Sequence, residues 1–350
     1  MRWANLVTSG TPTDRRLSPV VRLAPAKVNL SLAILGRRPD GFHSLHSVMV
    51  PLGLADRLSV ARAQGTADTL RASGYDAGSV ADNLVLRAIA ASRSAVGRSV
   101  DAFPLAARLE KHIPVAAGLA GGSSDAAAAL DAALVAWGAD LVLESTELAA
   151  LRRRVAVQLG ADVPFFLAGG AAVVTGSGEE VEPLPGLRGT SPGVLLVTAG
   201  VPAPTALVFA TLDLGGAGAA SDPGSTRAAS EHLAGEWRAG MRTDALLMRA
   251  GVLASANDLA GAADIVVPGL RSLRRGLVRR LGRPVGLSGS GPTLWVLYAS
   301  EVEAASAAES VLAALDDGTI VVPGDVRPSV IVTAISRAAM ARPKHEETGP

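Results

Sequence analysis

The chain has 350 residues, of which 49% are hydrophobic and 19% are charged, and its formal net charge is +1. This length allows two domains or one large one, and the near-neutral charge argues against a nucleic-acid-binding protein, which needs a clustered basic excess. Because the sequence has no cysteine, disulfides, thiolate metal sites and cysteine nucleophiles are excluded. Prolines interrupt the longest uncharged run, residues 189–212, and argue against a membrane span. We therefore expect a soluble protein of the cytoplasm.

The first part of the chain is predicted to be rich in β-strands. Residues 1–19 lack a continuous apolar stretch and predict a disordered leader, with no secretory signal. Apolar and β-branched residues predict strands over residues 20–35, 47–54 and 57–63. The sequence Arg-Pro-Asp-Gly at residues 38–41 is typical of a tight turn between strands.

Helices are predicted in the next part of the chain. The spacing of apolar residues predicts helices over residues 83–95 and 146–159, with a strand over residues 103–109 before the second of them. The strongest prediction is a helix over residues 123–137, because its alanine run favours helix and Gly138 marks its end.

Further strands alternate with helices in the rest of the chain. Strands are predicted over residues 171–175 and 194–200, within residues 285–298 and over residues 330–335. Residues 215–225, rich in glycine, alanine and serine, predict a loose segment. With no internal repeat and no coiled-coil heptads, this order of elements predicts an α+β fold.

A shift in composition near residues 183–192 indicates a domain boundary. It divides the chain into an N-terminal domain at residues 20–185 and a C-terminal domain at residues 186–336. The polar residues 337–350 predict a disordered tail.

A glycine-rich loop leads directly into the predicted helix at residues 123–137. Gly118, Gly121 and Gly122 lack the Cβ atoms that would keep a bulky anion away from the backbone. We expect residues 123–125 to form the N-cap and first turn of the helix. A helix N-terminus with unpaired N–H groups binds anions, and nucleotide phosphates are the chemistry that such a site suits.

The glycine loop differs from the two common nucleotide loops. A P-loop requires a lysine before its serine or threonine, and a dinucleotide loop requires the spacing Gly-x-Gly-x-x-Gly; neither is present. A flexible surface loop remains the alternative interpretation. We call this segment the phosphate loop; its residues are Pro114, Val115, Ala116, Ala117, Gly118, Leu119, Ala120, Gly121, Gly122, Ser123 and Ser124.

Two polar side chains lie near the start of the chain in an otherwise apolar predicted strand. Side chains alternate along a strand, so Lys27 and Asn29 are predicted to share one face. A lysine there would offset the charge of a phosphoryl group or lower the pKa of a neighbour. A solvated surface lysine is the alternative.

Two later segments complete the set of candidate functional residues. Asp162, in the sequence Gly-Ala-Asp-Val-Pro, is either a turn residue bonded to its own backbone or a carboxylate that points into a cleft. A second glycine loop at residues 286–292, the C-terminal glycine loop, is either a phosphate- or substrate-binding loop or a tight turn. Its candidate contact residues are Ser288, Gly289, Ser290 and Gly291.

These segments together resemble the GHMP kinase superfamily over about residues 20–335. The phosphate loop matches the family's phosphate-binding motif, and residues 286–292 match its C-terminal motif. The resemblance implies a two-domain α+β fold with an N-terminal ATP-binding domain and an active site in the cleft between the domains. The motifs at residues 25–30, 38–43 and 160–165 further resemble the members that phosphorylate the 2-hydroxyl of a cytidine diphosphate derivative of methylerythritol, in the methylerythritol phosphate route to isoprenoid precursors.

The resemblance also implies roles for individual residues. Asp162 is expected to be the catalytic base and Lys27 its partner at the phosphoryl group. Asn29 is expected to hold the methylerythritol end of the substrate. Phe42 and His43 are expected to bind the cytosine, the ring of Phe42 by stacking and His43 by its polar groups.

ATP and Mg²⁺ are the expected cofactors, and the phosphate loop is expected to hold the ATP phosphates through backbone N–H groups. Ser123 and Ser124 are candidates for contact with phosphate or Mg²⁺, whereas no metal ligand is assigned and Asp125 is interpreted as a helix-start residue. Ala116 and Ala117 replace glycines of many relatives and are expected to stiffen the loop. The expected partners are small molecules, and the expected state is a monomer or weak homodimer.

Two other functions remain open at this stage. One is a GHMP kinase that acts on homoserine, mevalonate or a sugar; Phe42 and His43 argue against it because they have no purpose without a cytidine ring. The other is a non-catalytic nucleotide-binding sensor on the same scaffold. The presence of both Lys27 and Asp162 argues against a sensor.

Overall fold

The structure is a computed structural model, and it describes residues 18–79, 82–101, 103–215 and 223–336. Parts of three predicted segments lie outside these described residues: 1–17 of the leader, 216–222 of the loose segment, and the tail at 337–350. The end of the predicted loose segment is not loose, because a helix begins at Pro223.

The N-terminal half of the chain forms a six-stranded sheet with helices packed on it. The strand order is β3-β4-β2-β5-β6, and β1 pairs with β2. The strands are β1 (Val20–Arg37), β2 (His43–Arg62), β3 (Thr69–Gly74), β4 (Leu105–Lys111), β5 (Ala172–Gly176) and β6 (Glu180–Pro183). The helices are α1 (Leu84–Ala95), α2 (Gly121–Ala136), α3 (Ser145–Leu159) and α4 (Val163–Ala168).

The first two strands form a long antiparallel hairpin. The predicted turn is confirmed by the hydrogen bond from the Gly41 N–H to the Arg38 carbonyl, at 3.0 Å. The prediction of separate strands over residues 47–54 and 57–63 is wrong, because β2 is continuous. The strand pairing shifts register near Lys27 and Asn29, as in a β-bulge, and such bulges re-aim side chains.

Helix α2 lies at the centre of the N-terminal half. Its residues 126–129 are alanines with no exposed surface, so small side chains let the neighbouring elements approach closely. The predicted end of the helix is confirmed: α2 ends at Ala136, and Gly138 follows in the left-handed conformation at φ 75°. The buried helix therefore fixes the position of the phosphate loop that precedes it.

The C-terminal half forms a four-stranded sheet in the order β10-β7-β9-β8. Its strands are β7 (Gly193–Thr198), β8 (Gly286–Leu287), β9 (Thr293–Tyr298) and β10 (Ser329–Ala334). Its helices are α5 (Thr205–Asp213), α6 (Pro223–Arg238), α7 (Thr243–Ser255), α8 (Ala260–Val266), α9 (Leu270–Leu281) and α10 (Glu301–Asp316). The mixture of sheets and helices confirms the predicted α+β fold class.

The two halves share part of their hydrophobic core. One buried cluster contains Val28 and Val50 from the N-terminal sheet together with Val194 and Trp295 from the C-terminal sheet. Helix α6 packs against β1, although it belongs to the C-terminal half. The domain boundary near residue 185 stays a prediction. Among the described residues, no helix has both the length and the apolar character that a membrane crossing requires.

Candidate active site

A cleft of about 920 Å³ opens between the two halves of the molecule. The phosphate loop lines one side of it, together with Lys27 and Asn29 of β1. Asp162, residues of α5 and part of the C-terminal glycine loop line the remaining walls. Most of the candidate site residues therefore meet in one cleft, although they come from distant parts of the chain.

The phosphate loop runs into α2 earlier than predicted. Ala120, in the left-handed conformation at φ 54°, is the N-cap residue of α2, and no side chain caps the helix. Residues 123–125 lie within the first turns, so their predicted N-cap role is wrong. Since no side chain of the described residues takes the first N–H groups, they remain available for an anion. The Ser124 hydroxyl is buried and finds no hydrogen-bond partner among the residues that the structure describes.

The two glycine loops touch each other through their backbones. A Cβ atom on Gly118 would lie 2.4 Å from the Ser288 carbonyl oxygen and 2.8 Å from that of Gly291. Gly118 also has φ 75°, a conformation that glycine adopts without strain. A larger residue at this position would push the loops apart, so glycine is required for their contact.

Lys27 and Asn29 share a face, as predicted, and they contact each other. The Lys27 ammonium donates to Asn29 Oδ1 at 2.7 Å and to the Gly118 carbonyl at 3.1 Å. Lys27 Nζ also lies 4.0 Å from Asp162 Oδ2. The alternative of a solvated surface lysine is excluded, since Lys27 is only 3% exposed. Burial lowers the pKa of the Lys27 amine, and the facing Asp162 carboxylate offsets part of this effect.

Asp162 occupies the N-cap position of the short helix α4, but its side chain makes no capping hydrogen bond. Its carboxylate instead faces Lys27, and the Asp162 side chain is 34% exposed. The sequence left two interpretations open, a turn residue or a carboxylate in a cleft, and the structure supports the second. This carboxylate can accept a proton from a group bound in the cleft.

The C-terminal glycine loop divides into residues that line the cleft and residues that lie behind it. Gly289 and Ser290 line the cleft. Ser288 is fully buried, and its hydroxyl donates to the Gly118 carbonyl at 2.9 Å, so it holds the phosphate loop. Gly291 packs against Leu287 and donates its backbone N–H to the Ser288 carbonyl.

Asn257 was not predicted from the sequence. Its amide donates to the carbonyls of Leu287 and Gly289, at 3.0 Å each, and so fixes the C-terminal glycine loop. The Asn-Asp pair at residues 257–258, just before a helix, was the available signal. Side-chain bonding to a backbone loop is common for asparagine.

A buried ionic cluster beneath the phosphate loop was also missed. The Lys111 ammonium pairs with Asp56 and with Asp125, the latter at 2.7 Å. Burial alone would lower the pKa of Lys111, but the two carboxylates outweigh it and raise the pKa. Burial raises the pKa of Asp125 to about 7, although Lys111 acts in the opposite direction. Asp125 is therefore an ion-pair residue, not merely a helix-start residue.

Residues from both halves line the part of the cleft around Phe42 and His43. The Phe42 ring is 62% exposed and lines the cleft. The His43 ring packs on Phe209 of α5 with ring centroids 4.8 Å apart. His43 Nε2 also forms a 2.7 Å hydrogen bond with Asp213 Oδ1. Phe209 and Asp213 were not predicted, because α5 carries no motif that marks them.

Family models match both halves of this architecture. The model of the GHMP kinases N-terminal domain matches residues 83–170, and the model of the GHMP kinases C-terminal domain matches residues 238–317. The chain is therefore a GHMP kinase in fold and class, as the glycine loops indicated.

Comparison with individual proteins shows to which family of GHMP kinases the chain belongs. The chain is 40% identical to the 4-diphosphocytidyl-2-C-methyl-D-erythritol kinase of Gluconacetobacter diazotrophicus over 82% of this chain and 90% of that protein. It is also 40% identical to the enzyme of the same name from Methylorubrum extorquens, over 85% and 96% of the two chains. The chain belongs to the family of 4-diphosphocytidyl-2-C-methyl-D-erythritol kinases.

Solved structures agree with this assignment. A crystal structure of a 4-(cytidine 5'-diphospho)-2C-methyl-D-erythritol kinase is 32% identical, covers 90% of this chain and 99% of its own, and has a TM-score of 0.60. A homoserine kinase from Cytophaga hutchinsonii has a TM-score of 0.65 over 95% of this chain and 98% of its own. At 17% identity, this second likeness shows the fold alone.

Proposed function

We propose that this chain transfers the γ-phosphoryl group of ATP to the 2-hydroxyl of 4-diphosphocytidyl-2-C-methyl-D-erythritol, a step of the methylerythritol phosphate route to isoprenoid precursors. The observation that carries the proposal is the facing pair of Lys27 and Asp162, 4.0 Å apart, in a cleft with a phosphate loop. Family membership at 40% identity supports the choice of substrate.

The chemistry assigned to the pair follows from their charges. The Asp162 carboxylate would orient the acceptor hydroxyl and accept its proton as the new oxygen–phosphorus bond forms. The Lys27 ammonium would stabilise negative charge that develops on the transferring phosphoryl oxygens. Because Lys27 is buried and held by two hydrogen bonds, it needs little reorganisation during the reaction.

The phosphate loop is the part of the cleft that suits ATP. Its backbone N–H groups at the start of α2 would bind the phosphates, and ATP would supply the phosphoryl group. No cluster of three or more metal-ligating side chains occurs among the described residues. Mg²⁺ usually takes one or two protein ligands together with substrate phosphates. Ser123, which lines the cleft at the start of α2, is the residue that would hold it.

The part of the cleft around Phe42 and His43 suits a pyrimidine base. Phe42 offers an exposed aromatic face, and the His43–Phe209 pair offers a second apolar surface with a polar edge. Asn29, next to Lys27, is assigned to the methylerythritol end of the substrate. The polar groups and the aromatic rings thus line one cleft, as a nucleotide-linked alcohol requires.

The test is ADP release by the purified protein with Mg-ATP and three candidate alcohols: the cytidine diphosphate methylerythritol, homoserine and mevalonate. We expect turnover with the cytidine substrate alone, and none with Lys27→Ala. Turnover with homoserine or mevalonate instead would retain the kinase class and reject the substrate. ATP binding without turnover on any alcohol would support the sensor interpretation. The cytoplasm, and a monomer or weak homodimer, remain the predicted location and state.

A further inference from the structure

The catalytic lysine is held by a chain of hydrogen bonds that continues behind the cleft. Asn29, which accepts from Lys27 through Oδ1, donates from Nδ2 to the hydroxyl of Ser47 at 2.8 Å. Ser47 in turn donates its hydroxyl proton to the Ser31 carbonyl at 2.6 Å. Ser47 is fully buried and does not line the cleft, so it has no contact with a bound substrate.

The direction of each bond in this chain is fixed by the number of protons available. A serine hydroxyl has one proton, and Ser47 uses it on a backbone carbonyl, which can only accept. Ser47 must therefore act as the acceptor toward Asn29, so the Asn29 amino group faces Ser47. The Asn29 carbonyl oxygen is then the atom that faces Lys27. With the amide reversed, an amino group would meet the ammonium, and two donors would oppose each other.

The strand geometry makes this arrangement possible. The register of the β1–β2 hairpin shifts between Asn29 and Ser31, so these residues are not in regular alternation opposite β2. The irregularity lets the Asn29 side chain on β1 reach Ser47 on β2. The chain of bonds therefore depends on a built feature of the hairpin.

The consequence for Lys27 is a defined orientation of its three donors. One N–H is taken by Asn29 Oδ1 and one by the Gly118 carbonyl. The third is left for the side of the cleft that contains Asp162 Oδ2, 4.0 Å away. Asp162 is also the charged group that acts on the Lys27 amine.

We propose that Ser47 is a positioning residue for Lys27, which acts by fixing the orientation of the Asn29 amide. The proposal deepens the proposed function, since it rests on Lys27 as the residue at the transferring phosphoryl group. It predicts that loss of the Ser47 hydroxyl alters the protonation and the placement of the Lys27 ammonium, without any change in the residues that line the cleft.

The sequence allows a direct measurement, because the chain contains only three lysines, Lys27, Lys111 and Lys344. In protein labelled with ¹³C at lysine Cε, each lysine gives one resonance that moves when its amine loses a proton, and Lys27→Arg assigns the signal. Without the Ser47 oxygen, the Asn29 amide is no longer held in place, and Lys27 loses the Oδ1 acceptor that stabilises its charged form. Ser47→Ala should therefore lower the pH midpoint of Lys27 by about one unit. Ser47→Thr, which keeps the hydroxyl, should retain the wild-type midpoint. Ser59→Ala, on the same strand, is the control.

Activity provides the second readout. Ser47→Ala should lower kcat by about tenfold while the KM for ATP stays near its wild-type value, and Ser47→Thr should restore kcat. Ser47→Cys is close to serine in volume, but its sulfur is a weaker acceptor. It should lower the Lys27 midpoint and kcat by less than Ser47→Ala does, and it replaces the alanine variant if that variant does not fold.

The outcomes separate this proposal from the proposed function. An unchanged Lys27 midpoint in a folded Ser47→Ala protein would overturn the positioning role, whatever the activity. A lowered midpoint with unchanged turnover would retain the effect of Ser47 on the Lys27 amine, but would overturn the role of Lys27 at the phosphoryl group. Equal losses for Ser47→Ala and Ser47→Thr would indicate packing and would also overturn the proposal.

Discussion

The ammonium of Lys111 lies 2.7 Å from the carboxylate of Asp125 at the base of the phosphate loop. The same ammonium pairs with Asp56, whose other oxygen accepts from the backbone of His112 and Ile113. One buried cation therefore serves two carboxylates from separate elements. The cluster joins β2, β4 and α2 directly behind the segment that is assigned to the ATP phosphates.

The first prediction concerns stability. At a pH above about 7, where Asp125 has lost its proton, Lys111→Met would leave the carboxylates of Asp56 and Asp125 buried without their cation. The free energy of unfolding should then fall by about 3–5 kcal/mol. The neighbouring residue on the same strand supplies a matched control. Glu110 pairs with Arg57 at 3.1 Å, and both side chains are 48% exposed. Urea denaturation should show a loss below about 1 kcal/mol for Glu110→Gln; equal losses in the two variants would contradict this view of the cluster.

The second prediction concerns pH. The pKa of Asp125 is raised from 3.8 to about 7, so the folded state keeps a proton there that the unfolded chain has lost. The contribution of this group to stability is complete below pH 3.8 and is lost as the pH rises toward about 7. Asp125→Asn cannot lose this proton, so the variant should gain stability relative to wild type over that range.

Urea denaturation at several pH values would check this second prediction. Ser124→Ala is a suitable control, because it changes a buried neighbour of Asp125 without changing a titratable group. Its stability relative to wild type should stay constant between pH 4 and 7, the range set by the two Asp125 values. The prediction fails if Asp125→Asn shows the same constant difference.

The sequence predicts only part of this cluster. Lys111 did carry a signal: Leu105, Ala107, Leu109 and Lys111 alternate on the buried face of β4, where an unpaired lysine is costly. Its partners carried none, because Asp56 and Asp125 reach it from other elements. Alternation reveals that a charge is buried, but the tertiary fold alone determines what neutralises it.

Local signals also explain the part of the site that was predicted and the part that was not. The alanine run and Gly138 placed α2 correctly, since both act within the helix itself. Its start was misplaced because serines favour N-caps, whereas here the left-handed Ala120 begins the helix. Phe209 and Asp213 were missed because their contact with His43 exists only when α5 packs beside the hairpin.

The third prediction concerns the proposed base. Asp162→Asn keeps the size of the side chain at the start of α4 but removes its ability to accept a proton. We expect kcat to fall by about 10²–10⁴-fold, with ATP affinity nearly unchanged because the phosphate loop is intact. Steady-state kinetics and ATP titration would measure the two quantities. Asp140→Asn, at an exposed position outside the cleft, should match wild type. Near-full activity of Asp162→Asn would show that another group is the base.

The fourth prediction concerns recognition of the base. Stacking of a base on an aromatic ring contributes about 1–3 kcal/mol, so Phe42→Ala should raise the KM for the cytidine substrate by about 5- to 150-fold. Phe209→Ala removes the ring that supports His43 and should act in the same direction. Leu207→Ala, on the exposed side of the same helix, is the control and should leave the KM unchanged. Unchanged KM values for all three variants would place the cytidine elsewhere.

The final prediction uses the backbone of the phosphate loop, where two adjacent alanines should respond to glycine with opposite signs. Ala116 has φ 53°, a left-handed conformation that costs an L-residue about 1–2 kcal/mol. Glycine removes this strain but adds about 0.5–1 kcal/mol of backbone entropy loss on folding, so Ala116→Gly should be neutral or stabilising by up to about 1.5 kcal/mol. Ala117 lacks a positive φ and is 3% exposed. Ala117→Gly should therefore destabilise by about 1.5 kcal/mol through a lost buried methyl group and added entropy. Urea denaturation would measure the change in the free energy of unfolding for each variant. If Ala116→Gly lost as much stability as Ala117→Gly, glycine would not relieve strain at residue 116.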